Sequence, residues 1–232
     1  MKLIVTGSTG YVGREVIRQS LCKSEITSVV ALSRQPVPVP DGLPEGADTS
    51  KLRSVIIEDY GRYSDEVKRE FAGADAFAIT PSKSKMYDPE EVKRICQTST
   101  LAGLSAMHES GLSNPFRFIY MSGAGVGWDE SKVPRYMLEY LRMRGETEKK
   151  VKELATELGG IEVTAPRPGL ITTPGEIWRC IAAFITKWLF GVIPISIEDL
   201  TRVMLDQAIN GIEKDALMPE DLARIAEGIP KS

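Results

Sequence analysis

The chain has 232 residues, of which 42% are hydrophobic and 26% are charged, and its net charge is −3. These proportions are typical of a globular protein with a sizeable core, so we expect a single domain over 1–232. The sequence has no block of basic residues, which argues against nucleic-acid binding, and its three scattered cysteines and one histidine offer no metal-ligand cluster. Few cysteines, no leader and no membrane span predict a cytoplasmic protein.

The N-terminal stretch predicts a nucleotide-binding turn between a buried strand and a helix. Leu3, Ile4 and Val5 form the apolar run of a buried parallel strand, and helical periodicity follows over 14–22. Glycines here allow a tight turn and a close approach of a pyrophosphate, which the helix N-terminus favours electrostatically. The candidate cofactor-binding residues of this turn are Gly7, Ser8, Thr9, Gly10, Tyr11, Val12 and Gly13.

Further strands and helices alternate along the chain. Strands are expected over 27–32, 52–57, 75–80, 116–121 and 161–165, and helices over 63–71, 89–108, 134–158, 175–190, 197–210 and 219–227. This alternation predicts an α/β fold, a doubly wound parallel sheet with right-handed crossovers. Residues 170–232 would add a small, mostly helical lobe over the strand C-termini, where such sheets bind their ligands.

The residues that follow the strands indicate which dinucleotide binds. The second strand ends at Ser33 and Arg34 without the acidic residue that holds an NAD ribose, whereas a hydroxyl and a guanidinium suit a 2′-phosphate. We therefore expect NADP(H), with Thr80 at the end of the fourth strand as a further contact. Asp59 could accept a hydrogen bond from the adenine amino group or serve as an ordinary turn residue, and both interpretations stay open.

A serine, a tyrosine and a cation predict a carbonyl-reducing site. Ser122 follows the fifth strand, and Tyr140 precedes Arg144 by four residues on the next helix, so both lie on one helical face. Ser122 would hold a developing oxyanion and Tyr140 would deliver a proton. Arg144 would bind ribose hydroxyls and lower the phenol pKa from about 10. Tyr136, one turn earlier, is the alternative phenol.

At these residues the chain resembles the short-chain dehydrogenase/reductase superfamily, which carries a serine and a Tyr-x-x-x-Lys pair. The likeness to the atypical, Tat-interacting-protein-like oxidoreductases spans nearly the whole chain, including Arg167-Pro168-Gly169. It implies a Rossmann fold and places Pro168 and Gly169 beside the nicotinamide. The chain departs from the pattern at Arg144, which keeps the positive charge of the usual lysine but cannot pass on a proton.

Three functions follow as hypotheses. The first is an NADPH-dependent reductase of a ketone or enone in a small, fairly apolar and possibly specialised metabolite. The second is a non-redox isomerase or cyclase that keeps the cofactor as structure, and the third is an NADP(H)-sensing regulator. The apolar stretch 177–190 could line a substrate pocket, pack in the core or form a homodimer face through its aromatic residues Trp178, Phe184, Trp188 and Phe190.

Overall fold

The computed structural model describes residues 1–79, 88–127, 130–133, 135–173 and 193–230. Thr80 and the expected helix over 175–190, with its four large aromatic residues, lie outside the described residues. So does the side chain of Tyr136.

The described residues form a parallel sheet of seven strands in the order β3-β2-β1-β4-β5-β6-β9, with β7 and β8 paired separately. This is a doubly wound order, so the predicted fold class is confirmed. The strands are β1 (Lys2–Thr6), β2 (Ser28–Ser33), β3 (Leu52–Ile56), β4 (Ala76–Ile79), β5 (Phe116–Tyr120), β6 (Ile161–Pro166), β7 (Ile171–Thr172), β8 (Ile195–Ser196) and β9 (Ala216–Leu217).

Helices cover both faces of this sheet. They are α1 (Tyr11–Ser20), α2 (Asp65–Phe71), α3 (Pro89–Lys93), α4 (Ser99–Glu109), α5 (Arg135–Leu158), α6 (Ile197–Asn210) and α7 (Pro219–Gly228). Leu3 and Val5 of β1 pack in one apolar layer with α1, α6 and α7. Ile4 points to the other face, into a layer with α2, α4 and α5. The alternation arises because successive side chains of a strand point to opposite faces of the sheet.

The long helix expected over 89–108 is present, but a π-helical segment, Arg94–Thr98, lies between α3 and α4 and was not predicted. The Ser99 hydroxyl donates to the carbonyl oxygen of Arg94, five residues back, at 2.9 Å. The Thr100 hydroxyl likewise donates to the carbonyl oxygen of Cys96 at 2.8 Å.

The C-terminal ends of four neighbouring strands lie at one level. Thr6 of β1 is in register with Leu32 of β2 and with Ile79 of β4, and Ile79 is in register with Tyr120 of β5. The loops that follow β1 and β5 therefore leave the same edge of the sheet. They carry the glycine turn and Ser122, respectively.

Candidate active site

The glycine turn, residues 7–13, has a geometry that larger residues could not adopt. Gly7 has a φ of 65°, in the left-handed region, and its carbonyl oxygen accepts a hydrogen bond from the Gly10 amide at 2.8 Å. A Cβ at Gly13 would lie only 2.3 Å from that same oxygen. The absence of side chains at Gly7 and Gly13 therefore lets β1 turn directly into α1.

The start of α1 suits an anion. The helix begins at Tyr11, three residues earlier than the periodicity predicts, and Gly10 at its N-cap supplies no side-chain cap. Its first turn contains no acidic residue, so the partial positive charge of the helix N-terminus is not neutralised locally. Thr9, Gly10 and Tyr11 are exposed, whereas Val12 is buried in the core. A cradle that a Cβ would fill, opening at this terminus, fits a pyrophosphate.

Two hydroxyls, one of them from the glycine turn, donate to the same carbonyl oxygen at the end of β2. Ser8 is fully buried, and its Oγ donates to the Leu32 carbonyl oxygen at 2.7 Å, so this hydroxyl proton is used within the protein. Tyr60 donates to the same oxygen at 3.0 Å. Burial raises the pKa of Tyr60, and the positive charge of Arg34 opposes that rise. Tyr60 was not predicted from the sequence, where its only signal is its position directly after Asp59.

The residues expected at the adenosine end occupy different environments. Ser33 is buried, and its Oγ accepts a hydrogen bond from the Gln35 amide at 3.3 Å, while Arg34 is exposed. Asp59 Oδ1 accepts from the Gly61 amide at 2.9 Å and lies 3.6 Å from Arg94 Nη1. Asp59 thus serves as a turn residue in this structure, and its contact with adenine stays a prediction.

The Ser122 loop, residues 122–127, is held against β6 and α5. The amide of Ser122 donates to the Pro166 carbonyl oxygen at 2.8 Å, and the amide of Ala124 donates to the Pro168 carbonyl oxygen at 3.0 Å. A Cβ at Gly125 would lie 2.8 Å from Leu141 Cδ1, so the loop backbone lies close on the helix that carries Tyr140. These contacts bring the Ser122 loop and α5 together.

The hydroxyl of Ser122 is a buried group without a hydrogen-bond partner among the described residues. The residue is only 8% exposed. An unpaired buried hydroxyl is costly, and such groups are found where a ligand or water completes the bonding. Ser122 is therefore suited to donate a hydrogen bond to an oxygen atom of a bound ligand.

Arg144 is buried below the Ser122 loop. It is 3% exposed, and its Nη2 donates to the carbonyl oxygen of Met121, the residue before Ser122. Its guanidinium carbon lies 4.7 Å from the Tyr120 ring centroid and 5.9 Å from the Tyr140 ring centroid. Within the described part of the chain, its Nη1 has no hydrogen-bond partner. The sequence did not predict the contact with Met121, and the contact with ribose stays a prediction.

The positive charge of Arg144 lowers the pKa of Tyr140, as expected, but the net shift of that pKa is upward. Burial of the phenol raises its pKa, and this effect exceeds the opposing influence of the Arg144 charge. The thiol of Cys96, on the π-helical segment, adds a smaller effect in the raising direction. The phenol of Tyr140 therefore holds its proton at neutral pH, which suits a proton donor rather than a base.

The described ranges contain neither a metal-ligand group nor a helix that could span a membrane. No group of three or more histidine, cysteine or carboxylate side chains there is placed to hold a metal ion. None of the helices in those ranges combines the length and the apolar character needed to cross a membrane.

The sheet order and the glycine turn define a dinucleotide-binding Rossmann fold, with a serine and a tyrosine at its C-terminal edge. No family model matches the chain. Protein FMP52, mitochondrial, of Candida albicans is 25% identical over 248 residues, covering 99% of this chain and 100% of that protein. Leucinostatins biosynthesis cluster protein T of Purpureocillium lilacinum is 30% identical over 125 residues, covering 54% of this chain and 44% of that protein.

Solved structures share the fold at low sequence identity. Gre2 from Candida albicans, in complex with NADPH, matches with a TM-score of 0.70 and 15% identity, over 94% of this chain and 77% of that one. Vestitone reductase from alfalfa matches with a TM-score of 0.67 and 19% identity, over 97% of this chain and 86% of that one. These similarities confirm the Rossmann fold expected from the resemblance to the short-chain dehydrogenase/reductase superfamily.

Proposed function

We propose that the protein is an NADPH-dependent reductase of a ketone or enone in a small, fairly apolar metabolite. The observation that carries this proposal is the buried Ser122 hydroxyl, which has no hydrogen-bond partner among the described residues and lies on a loop packed against the helix of Tyr140. A carbonyl oxygen that gains negative charge needs a hydrogen-bond donor and then a proton. Ser122 and Tyr140 provide these two groups.

The residues of the cofactor site have separate tasks in this proposal. The glycine turn and the N-terminus of α1 would hold the pyrophosphate, and Arg34 with Ser33 would hold the 2′-phosphate. When bound, NADPH supplies hydride to the substrate. Pro168 and Gly169, which follow β6, would lie beside the nicotinamide.

The protein's own residues account for the rest of the chemistry. Tyr140 donates its phenolic proton to the oxygen, and Ser122 stabilises negative charge there by donating a hydrogen bond. Arg144 cannot relay a proton, because an arginine side chain keeps its proton and its charge in proteins. Its positive charge instead limits the rise of the Tyr140 pKa, and its bond to Met121 supports the backbone of the Ser122 loop.

The name of one similar protein, Leucinostatins biosynthesis cluster protein T, supports a role in specialised metabolism. The aromatic residues of 177–190 would suit an apolar substrate.

We also propose a cytoplasmic location, which localisation of a tagged chain tests, and a homodimer, which light scattering tests. Because FMP52 is named mitochondrial, co-localisation with mitochondria would overturn the first of these.

The test of the reductase proposal is oxidation of NADPH by the purified protein with a panel of ketones and enones. The proposal expects substrate-dependent loss of NADPH absorbance and a matching amount of alcohol or saturated ketone. Saturable NADPH binding without turnover on any member of a broad panel would count against it.

The presence of Arg144 in place of the usual lysine motivates one alternative, a non-redox isomerase or cyclase. A site without a proton-relaying lysine could still polarise a carbonyl through Ser122 and Tyr140. Product formation at full rate with no NADPH consumed would establish this alternative.

A cofactor-sensing regulator would instead bind NADP(H) tightly and keep its biological effect in the Tyr140→Phe variant. The Arg144→Lys variant gives a companion test, since a reductase that tolerates arginine should keep or gain activity.

A further inference from the structure

We propose that Arg167 and Glu148 form a clamp that positions the Ser122 loop on α5. The catalytic consequence of the clamp rests on the proposed reductase function, but the structural claim does not. Arg167 lies between the two residues, Pro166 and Pro168, whose carbonyl oxygens hold the loop. Glu148 lies on α5, two turns beyond Tyr140.

The ion pair is bidentate and largely buried. Arg167 Nη2 donates to Glu148 Oε2 at 2.6 Å, and Arg167 Nε lies 3.2 Å from each Glu148 oxygen. The Glu148 side chain is 4% exposed and that of Arg167 is 19% exposed. A planar guanidinium facing a carboxylate in this way has a defined orientation, which a single charge contact lacks.

The remaining donors of Arg167 connect this pair to the loop and to the sheet. Its Nη1 donates to the Val126 carbonyl oxygen at 3.3 Å. Its backbone amide donates to the carbonyl oxygen of Leu217, in β9, at 2.8 Å. Arg167 thus joins α5 and the far end of the Ser122 loop through its side chain, and the sheet edge through its backbone amide.

The loop has the burial expected of a segment held in place. Ser122, Ala124 and Val126 are each less than a tenth exposed, although loops usually run over the surface. Val126 also packs on α5, where a Cβ at Gly145 would lie 3.2 Å from its Cγ1. Arg167 is therefore a positioning residue, which sets Ser122 relative to Tyr140 without touching the reacting atoms.

The test uses two conservative variants. Arg167→Lys keeps the charge and removes the planar fork, and Glu148→Gln keeps the shape and removes the charge. Arg117→Lys is the matched control, because Arg117 also pairs with a glutamate, Glu162, and donates to backbone carbonyls, but at the start of β5. Hydrogen exchange is followed at the amides of the Ser122 loop and, for reference, at those of α6.

We expect exchange of the loop amides to rise by about tenfold or more in both variants, while the α6 amides and the affinity for NADPH stay as in the wild type. In the reductase assay kcat should fall with little change in KM for NADPH. The Arg117→Lys control should leave the loop amides unchanged.

Three results would overturn the proposal. The first is wild-type exchange of the loop amides in a folded variant, and the second is a uniform rise that includes α6, which would show global destabilisation only. The third concerns the wild type and needs no variant. It is exchange of the loop amides as fast as that of the amides in the exposed stretch 41–46. A wild type without NADPH turnover would remove the reductase proposal and leave this exchange test intact.

Discussion

The glycine turn and the Ser122 loop leave the same edge of the sheet, but their shapes arise from different interactions. The glycine turn is set by its own backbone, through Gly7, Gly10 and Gly13. The Ser122 loop is held by residues distant in sequence: the Arg144 side chain reaches back 23 positions to Met121, and that of Arg167 reaches 41 positions to Val126. We call the glycine turn the local half, because its own backbone sets its path, although Ser8 also donates to Leu32, 24 positions away. The half proposed to carry the chemistry is the tertiary half.

Removing the Tyr140 hydroxyl should have the largest effect on the reduction rate. The change affects only the tertiary half of the site. We expect Tyr140→Phe to lower the reduction rate by about 100- to 10,000-fold, the usual contribution of a general acid. The affinity for NADPH should not change. Steady-state kinetics and a separate binding titration measure the two quantities.

The matched control is Tyr63→Phe. Tyr63 packs edge-on against Phe71, the last residue of α2, with ring centroids 5.4 Å apart. That variant should retain full activity. Equal losses in both variants would indicate that the hydroxyl of Tyr140 has no special role.

The next largest effect is expected in the local half, from Gly13→Ala. Its Cβ would lie 2.3 Å from the Gly7 carbonyl oxygen and 2.8 Å from the Gly7 carbonyl carbon, so the backbone itself must shift. Overpacking of this kind costs about 1–3 kcal/mol. Thermal unfolding should report the lost stability, and the Kd for NADPH should rise by about tenfold or more.

Gly228→Ala is the control for this substitution, because nothing lies within 4 Å of a Cβ at that position. Its unfolding temperature and NADPH affinity should match those of the wild type. Normal NADPH affinity in Gly13→Ala would contradict the assigned role of the turn.

A smaller effect is expected from Arg34→Gln, which tests the choice between the two dinucleotides. Loss of a hydrogen bond to a charged group costs about 1.5–3 kcal/mol, so NADPH affinity should fall by about tenfold or more. NADH affinity should stay constant. Parallel titrations measure the ratio, and Arg69→Gln on α2 serves as an exposed arginine control. An equal fall for both dinucleotides would remove the 2′-phosphate assignment.

The smallest change is expected in the pH profile of reduction. Since burial raises the pKa of Tyr140 above that of a free phenol, its phenol stays protonated through neutral pH. The rate per bound NADPH should therefore be nearly constant across the neutral range and fall only at strongly alkaline pH. A fall that begins near neutrality would show that the Arg144 charge dominates over burial.

The sequence predicted the parallel, doubly wound sheet and the glycine turn, because these depend on apolar runs and on local spacing. Helix bounds erred mainly at caps: α1 begins at Tyr11, where Gly10 provides no side-chain cap to recognise. The two-residue strands β7, β8 and β9 were missed because so short a run has no periodicity. The expectation for helix 197–210 is confirmed, and there Ser196 caps the helix through the Asp199 amide.

Ser122, Tyr140 and Arg144 were chosen as candidates from their positions after the fifth strand and on the next helix, and their roles stay predictions. Spacing could not predict that Arg144 lies against Tyr120 and the Met121 carbonyl, or that burial outweighs its charge at Tyr140. The roles of Tyr60, Arg167 and Glu148 depend on packing between distant segments, which a single sequence does not display.

The most direct test of the account is a titration of the purified wild-type protein with NADPH and, separately, with NADH, followed by fluorescence or calorimetry. The account predicts saturable binding of NADPH at one site per chain, with weaker binding of NADH. Failure of the folded protein to bind either dinucleotide would contradict it.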